Sequence, residues 1–167
     1  IPIWLAHRIA HRMDDKKVLK KLPYLLPDAE IQVGYEFKNG RPSRLHSITI
    51  VATQASNADI GLDQLRRDLI GEVIDPVLKK YKIDLASEKM ININPDGPRS
   101  GGPAVHSGLT GRETGIDTYG GFARTSSAAL SGKDPMRIDR IGAYIARYAA
   151  KNVVAAGLAR ECEVQLS

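Results

Sequence analysis

The chain has one cysteine, Cys162, among its 167 residues. An internal disulfide is excluded, and a reducing, cytoplasmic setting is expected. Aromatics are nearly as scarce, at 5%, so any core has to be built from Ile, Leu, Val and Ala. No apolar run approaches the roughly 20 residues that span a bilayer. Ile1 to Ala10 already contains His7 and Arg8, which does not suit a signal peptide, so no membrane partner is expected. The formal charge of +5 invites a nucleic-acid reading, but Lys and Arg are spread out and not interleaved with stacking aromatics. The one dense cluster, Lys16, Lys17, Lys20 and Lys21, reads as a solvated helix face. No nucleic-acid partner is expected.

Periodicity fixes most of the elements. Leu5, Ile9 and Met13 at four-residue spacing predict a helix over 3–20. Ile31 to Phe37 alternates as a strand, Lys38-Asn39-Gly40 supplies a turn, and 46–53 reads as the partner strand. Leu62, Leu65, Leu69 and Val73 mark a second helix, which Asp75-Pro76 restarts with Asp as its cap. Met90 to Asn94 reads as a short strand, and Asn94 to Pro103 as a loop. A third helix is predicted over 135–156, with Ile138, Ile141, Ile145, Ala149 and Val153 on one face and Gly157 ending it. Glu161 to Leu166 alternates again as a strand. Strands separated by helices argue for an α+β layered fold.

The most telling stretch is 117–139. Small residues, Thr125 to Ala129 and Ser131, separate a Tyr119-Gly120-Gly121 turn from Ser131-Gly132-Lys133-Asp134-Pro135 and the third helix. Small side chains admit a ligand close to the backbone, and amides entering a helix favour an anion. Lys133 adds a full positive charge, so a phosphate-bearing ligand is expected; the plain alternative is a solvated connector. On residue types alone Asp28 reads as a turn aspartate and Asp139 as a first-turn carboxylate.

Asp117-Thr118-Tyr119-Gly120-Gly121, Ser131 to Pro135 and Val154-Ala155-Ala156-Gly157-Leu158-Ala159 resemble S-adenosylmethionine synthetases (methionine adenosyltransferases). So do Leu5-Ala6-His7-Arg8, Leu22 to Asp28, Gly101-Gly102-Pro103 and Gly108-Leu109-Thr110-Gly111-Arg112. The resemblance runs in the family's order along the whole chain. It implies α/β sub-domains related by pseudo-threefold symmetry, with 1–92 forming one and 93–167 part of another, and subunits paired sheet on sheet as a dimer or tetramer, or with a homologous subunit. It implies ATP and L-methionine as substrates, Mg²⁺ and K⁺ as cofactors, and a place in one-carbon metabolism. The reaction is attack of methionine sulfur on C5′ of ATP, expelling a triphosphate that is then split to phosphate and pyrophosphate.

By resemblance, Lys133 and Arg112 are the catalytic cations. Asp28, Ala29, Glu30, Arg112, Glu113, Ala129 and Lys133 line the ATP site, His106 and Arg137 the methionine side, and Asp139 the metal. The family's His-Pro-Asp motif is not among these residues, so the chain reads as an internal portion of the family sequence. Glu30 and Glu113 stand where the family has lysine, His106 where it has aspartate, and Arg137 where it has lysine. Two Lys→Glu changes near a tri-anion point to a second reading: a diverged, non-catalytic or altered-substrate member acting as a nucleotide-binding module or partner subunit.

Overall fold

The computed structural model describes residues 1–58, 60–85, 90–102, 105, 107–108, 119–122, 124 and 129–166. The chain divides into two compact units, Ile1–Ser107 and Gly108–Ser167. The fold is α+β.

In the first unit, helix α1 (Pro2–Met13) buries Leu5, Ala6, Ile9 and Met13, the stripe that its sequence spacing lays on one side. The expected single helix over 3–20 is broken. Asp15 is extended, with φ −63° and ψ 126°, and its carboxylate accepts from the Lys17 N–H at 2.8 Å, so it caps a separate helix α2 (Lys16–Lys21). Aspartate offers the backbone this competing bond, which is why it starts helices better than it continues them. That N–H, and then the Arg12 guanidinium, hold the Asp15 carboxyl below its ordinary range.

Strands β1 (Leu25–Lys38) and β2 (Arg41–Gln54) form an antiparallel hairpin, with Lys38 opposite Arg41. Asn39 and Gly40, both at positive φ (52° and 70°), make the two-residue turn that suits the twist of the flanking strands. The strands run well past the expected 31–37 and 46–53. Leu25 to Asp28 joins β1 through an irregularity between Leu25 and Ala29, where Pro27 has no N–H to give. Strand β3 (Ile91–Ile93) lies parallel to β2, giving the order β1-β2-β3. Leu45, Ile48, Ile50, Ala52, Ile91 and Ile93 are buried beneath the helices. By register, Ile31 and Val33 share that face, and Glu30, Gln32, Ser47, Thr49 and Val51 share the other. The open sheet face is therefore mostly polar.

Helix α3 (Leu62–Leu69) passes through a wider π turn, Ile70–Ile74, into helix α4 (Asp75–Tyr81). The expected restart capped by Asp75 does not occur, because Ile74 and Asp75 both stay helical. Pro76 cannot donate to the carbonyl four residues back, that of Glu72, and its ring crowds it. The widened turn accommodates the ring. Arg12 Nε supplies the donor that proline lacks, reaching the Glu72 carbonyl at 3.0 Å, and Lys21 Nζ pairs with the Glu72 carboxylate at 2.7 Å.

Tyr24, just before β1, donates its hydroxyl to Asp68 Oδ2 of α3 at 2.6 Å. Burial, followed by the Asp68 carboxylate, pushes this phenol well above its ordinary value. A raised folded value means the contribution to stability is complete below about pH 10 and is lost as pH climbs from there through the folded value. Unfolding by urea at pH 8 to 11.5 is expected to show a steep loss above about pH 10 in the parent. Tyr24→Phe should have a shallower slope and lower stability at pH 8. Equal slopes in the two proteins would refute the assignment.

In the second unit a short 3₁₀ turn, Gly120–Phe122, precedes helix α5 (Ile138–Ala155). Gly157, at φ 73°, donates its N–H to the Val154 carbonyl at 3.0 Å and ends the helix in the left-handed geometry expected of it. No residue of α5 is buried, and Ile138 and Ile145 of its apolar face are 77% and 54% exposed. The expected strand over 161–166 does not form. Alternation can set a face, but a strand needs a ladder to receive its N–H and C=O groups, and no described strand pairs with this one. Among the described residues no helix is long and apolar enough to cross a membrane.

Candidate functional site

Each unit carries its own share of the expected site. In the first, Asp28 lies at the start of β1, with its carbonyl accepting from Thr53 Oγ1 at 2.8 Å. The segment after β3 runs back along the end of β2. The Gln54 N–H donates to the Arg99 carbonyl at 2.8 Å, and Ser100 bridges Gln54 in parallel. This brings Gly101 over Thr53 and Asp28: a Cβ on Gly101 would lie 3.1 Å from Thr53 Cγ2 and 3.6 Å from Asp28 Oδ2. Gly102 adopts φ +98°, and its Cβ would meet Leu26 at 3.0 Å. The paired glycines are thus required by close approach and by backbone conformation. The Asp28 carboxylate has no hydrogen-bond or ion-pair partner among the described residues. It borders a cleft of about 190 Å³ lined by Met13, Leu19, Leu25, Leu26 and Pro27 among others.

Ala29 and Glu30 follow on β1, both exposed. Glu30 is not an isolated charge. Arg99 Nη1 approaches its Oε1 at 3.2 Å, with the two side chains 47% and 71% exposed. Arg99, which sequence reasoning passed over, carries the compensating charge. The pair is 69 residues apart, and only the sheet brings it together.

The same holds in Asn94, which the sequence offered as a mere loop residue. It is buried at φ 43°, and its amide makes both hydrogen bonds to Ala52, accepting from the N–H at 2.8 Å and donating to the carbonyl at 2.9 Å. Its own N–H donates to the Ile50 carbonyl at 2.9 Å. Asn94 therefore continues the β2–β3 pairing with a side chain after the strand ends, and it launches the segment that carries Arg99 and Gly101.

In the second unit, the structure brings Ala129 and Lys133 together. Ala129 is buried, and Lys133 Nζ donates to its carbonyl. Gly132, at φ 76°, turns the chain, and the Lys133 N–H closes the turn on the Leu130 carbonyl at 3.2 Å. Asp134 Oδ1 accepts from the Met136 N–H at 2.8 Å, which sets the approach to α5. Arg137 Nε pairs with Asp139 Oδ2 at 3.1 Å, so the expected methionine-side cation and metal carboxylate are neighbours.

Arg140 is a further residue that sequence reasoning missed. Its guanidinium donates to the Leu130 carbonyl and to the Tyr144 hydroxyl, tying the Lys133 turn to α5, and it lies over the Tyr144 ring. Its Nε is buried without a partner among the described residues. The signal available was an arginine one helical turn after Arg137. Arg112, Glu113 and His106 lie outside the described residues. Among the described residues no three metal-ligating side chains converge, so Asp139 offers a single carboxylate.

Residues 1–98 match the central domain of S-adenosylmethionine synthetase, and residues 100–167 match its C-terminal domain. The chain is 44% identical over 168 residues to the S-adenosylmethionine synthase of Desulforudis audaxviator, covering all of this chain and 42% of that protein. It is 45% identical over 169 residues to the Staphylococcus epidermidis S-adenosylmethionine synthase, covering all of this chain and 41% of that one. The structure of an unusual S-adenosylmethionine synthetase from Campylobacter jejuni superposes with a TM-score of 0.75 at 31% identity, covering 95% of this chain and 42% of that one. The chain thus spans about two-fifths of the length of the relatives it matches. With both domain matches, end-to-end identity above 40% and a shared fold, this chain belongs to the S-adenosylmethionine synthetase family.

Proposed function

We propose that this chain is the central and C-terminal part of a transferase that makes S-adenosylmethionine from ATP and L-methionine, with release of phosphate and pyrophosphate. The end-to-end match to two successive synthetase domains supports the reading most directly. The Lys133 turn supports it chemically. A leaving triphosphate gathers charge on its bridging oxygen, and fixed cations at that oxygen lower the barrier. Lys133 exchanges its bond to the Ala129 carbonyl for a phosphate oxygen, a stronger bond because both partners are ionised. Arg140 keeps the turn in place while it does so. Arg112 serves as the second cation, as a planar fork matched to phosphate oxygens.

Asp28 and the close Gly101 backbone hold the nucleoside side, with Ala29 and Glu30 beside them. Arg99 neutralises Glu30, so the carboxylate that replaces the family lysine repels the tri-anion less than its bare charge suggests. This pairing weighs against the non-catalytic reading. His106, Arg137 and Glu113 remain assigned to the methionine and ATP sides by resemblance. Mg²⁺ suits Asp139, since that ion binds through one or two carboxylates together with substrate phosphates; when bound it supplies charge neutralisation on the triphosphate. K⁺ is a second proposed cofactor. A dimer or tetramer, paired with itself or with a homologous subunit, agrees with the uncovered apolar face of α5. The setting proposed is the cytoplasm.

The test is product formation. The longest polypeptide specified by the coding region is incubated with ATP, methionine, Mg²⁺ and K⁺, and S-adenosylmethionine is measured by liquid chromatography. Methionine-dependent product is the expected result. ATP bound without any product would favour the nucleotide-binding module instead.

A further inference from the structure

Helix α1 presents two histidines four residues apart, His7 and His11, both exposed. Residues four apart on a helix are stacked neighbours, with Cβ atoms about 5–6 Å from each other. Neither imidazole has a hydrogen-bond or ion-pair partner among the described residues. The two arginines that could repel a cation there are engaged elsewhere. Arg8 lies over the Trp4 ring at 5.4 Å, and Arg12 is held by the Glu72 carbonyl and the Asp15 carboxylate at 3.0 and 2.9 Å. The helix beneath is firmly seated through Leu5, Ile9 and Met13, so the two rings share a fixed base.

The geometry points to a surface clip for a late first-row divalent metal ion, held between the His7 and His11 imidazoles. Imidazole favours Cu²⁺, Ni²⁺ and Zn²⁺ over the hard cations that carboxylates and phosphates take. A pair at this spacing on one helical face is the same arrangement that holds two of the ligands in helix-borne zinc sites. No third protein donor joins them among the described residues, so water fills the other positions. The site is weaker than a four-ligand structural site and is independent of the phosphate chemistry proposed above. Because the ligands are spaced for the helix, an ion bound there stabilises the folded chain over the unfolded one.

Calorimetric titration of the 167-residue chain with Cu²⁺, Ni²⁺ and Zn²⁺ tests this, alongside His7→Ala, His11→Ala, His46→Ala and Cys162→Ser. The expected result is one saturable ion per chain, tightest for Cu²⁺, with a metal-dependent rise in melting temperature. Each of His7→Ala and His11→Ala should weaken binding at least about tenfold, the lower end of what even an outer-shell partner is worth. His46→Ala and Cys162→Ser should leave it unchanged. Both helix histidines are exposed, so the circular dichroism of their variants should match the parent. No saturable binding, or binding that survives both helix variants or is lost with His46 or Cys162, would overturn the proposal.

Discussion

Replacing Asn94 by alanine is expected to cost the first unit about 2–5 kcal/mol. The side chain satisfies both backbone groups of Ala52, and two such bonds at a net of about 0.5–1.5 kcal/mol each are worth about 1–3 kcal/mol. Alanine also has to hold φ 43°, a left-handed conformation that costs most side chains roughly 1–2 kcal/mol and asparagine less. Asn94→Gly separates the two contributions, because glycine accepts that φ freely but restores neither bond. It should recover only the conformational part. Asn94→Asp keeps an acceptor for the Ala52 N–H but sets a carboxylate against the Ala52 carbonyl, and should not rescue. Against a typical total of about 5–15 kcal/mol, the loss is large enough to read directly from a urea midpoint at constant slope. A change below 1 kcal/mol for Asn94→Ala would mean that water replaces the amide, and that the pairing is not what holds the 94–102 segment.

The contrast between Asn94 and Asn39 shows which parts of this molecule its sequence discloses. Asn39-Gly40 is legible because both residues that need positive φ are adjacent and sit between two alternating runs. Asn94 needs positive φ too, but its partner is 42 residues away, and nothing local distinguishes it from a loop asparagine. The same reason hides Arg99, whose partner is Glu30, and Arg140, whose bond is to a carbonyl. A motif names the residues that face the substrate and is silent about those that hold them. Period-based errors have a different origin. The alternation over 161–166 and the four-residue stripe through 3–20 are both real, but alternation cannot supply a partner strand, and a stripe cannot outweigh Asp15 taking the Lys17 N–H for itself. The helices and the hairpin were legible because hydrophobic period and turn chemistry agree there.

Lys133→Ala is expected to weaken Mg²⁺-ATP binding roughly 10- to 100-fold, since charge-assisted bonds are worth about 1.5–3 kcal/mol. Glu30→Lys should do much less than its two-unit change in charge suggests. A unit charge about 5 Å from another is worth roughly 3 kcal/mol at an effective dielectric of 20. Glu30 and Arg99 are both largely exposed, however, and solvent and salt reduce such terms to about 1 kcal/mol or less. The Arg99 charge already offsets the carboxylate. The informative variant is therefore Arg99→Ala, which bares Glu30 and should weaken ATP binding about twofold to fivefold, within that screened limit. Adding Glu30→Gln should then restore it. Isothermal titration at 50 and 300 mM NaCl measures all four, and the Arg99 effect should shrink at the higher salt as screening grows. If Arg99→Ala leaves ATP affinity unchanged while Glu30→Lys raises it a hundredfold, the pair does not neutralise the site. Glu30 would then act on the phosphates as a bare charge, and the case for a non-catalytic member of the family would be the stronger one.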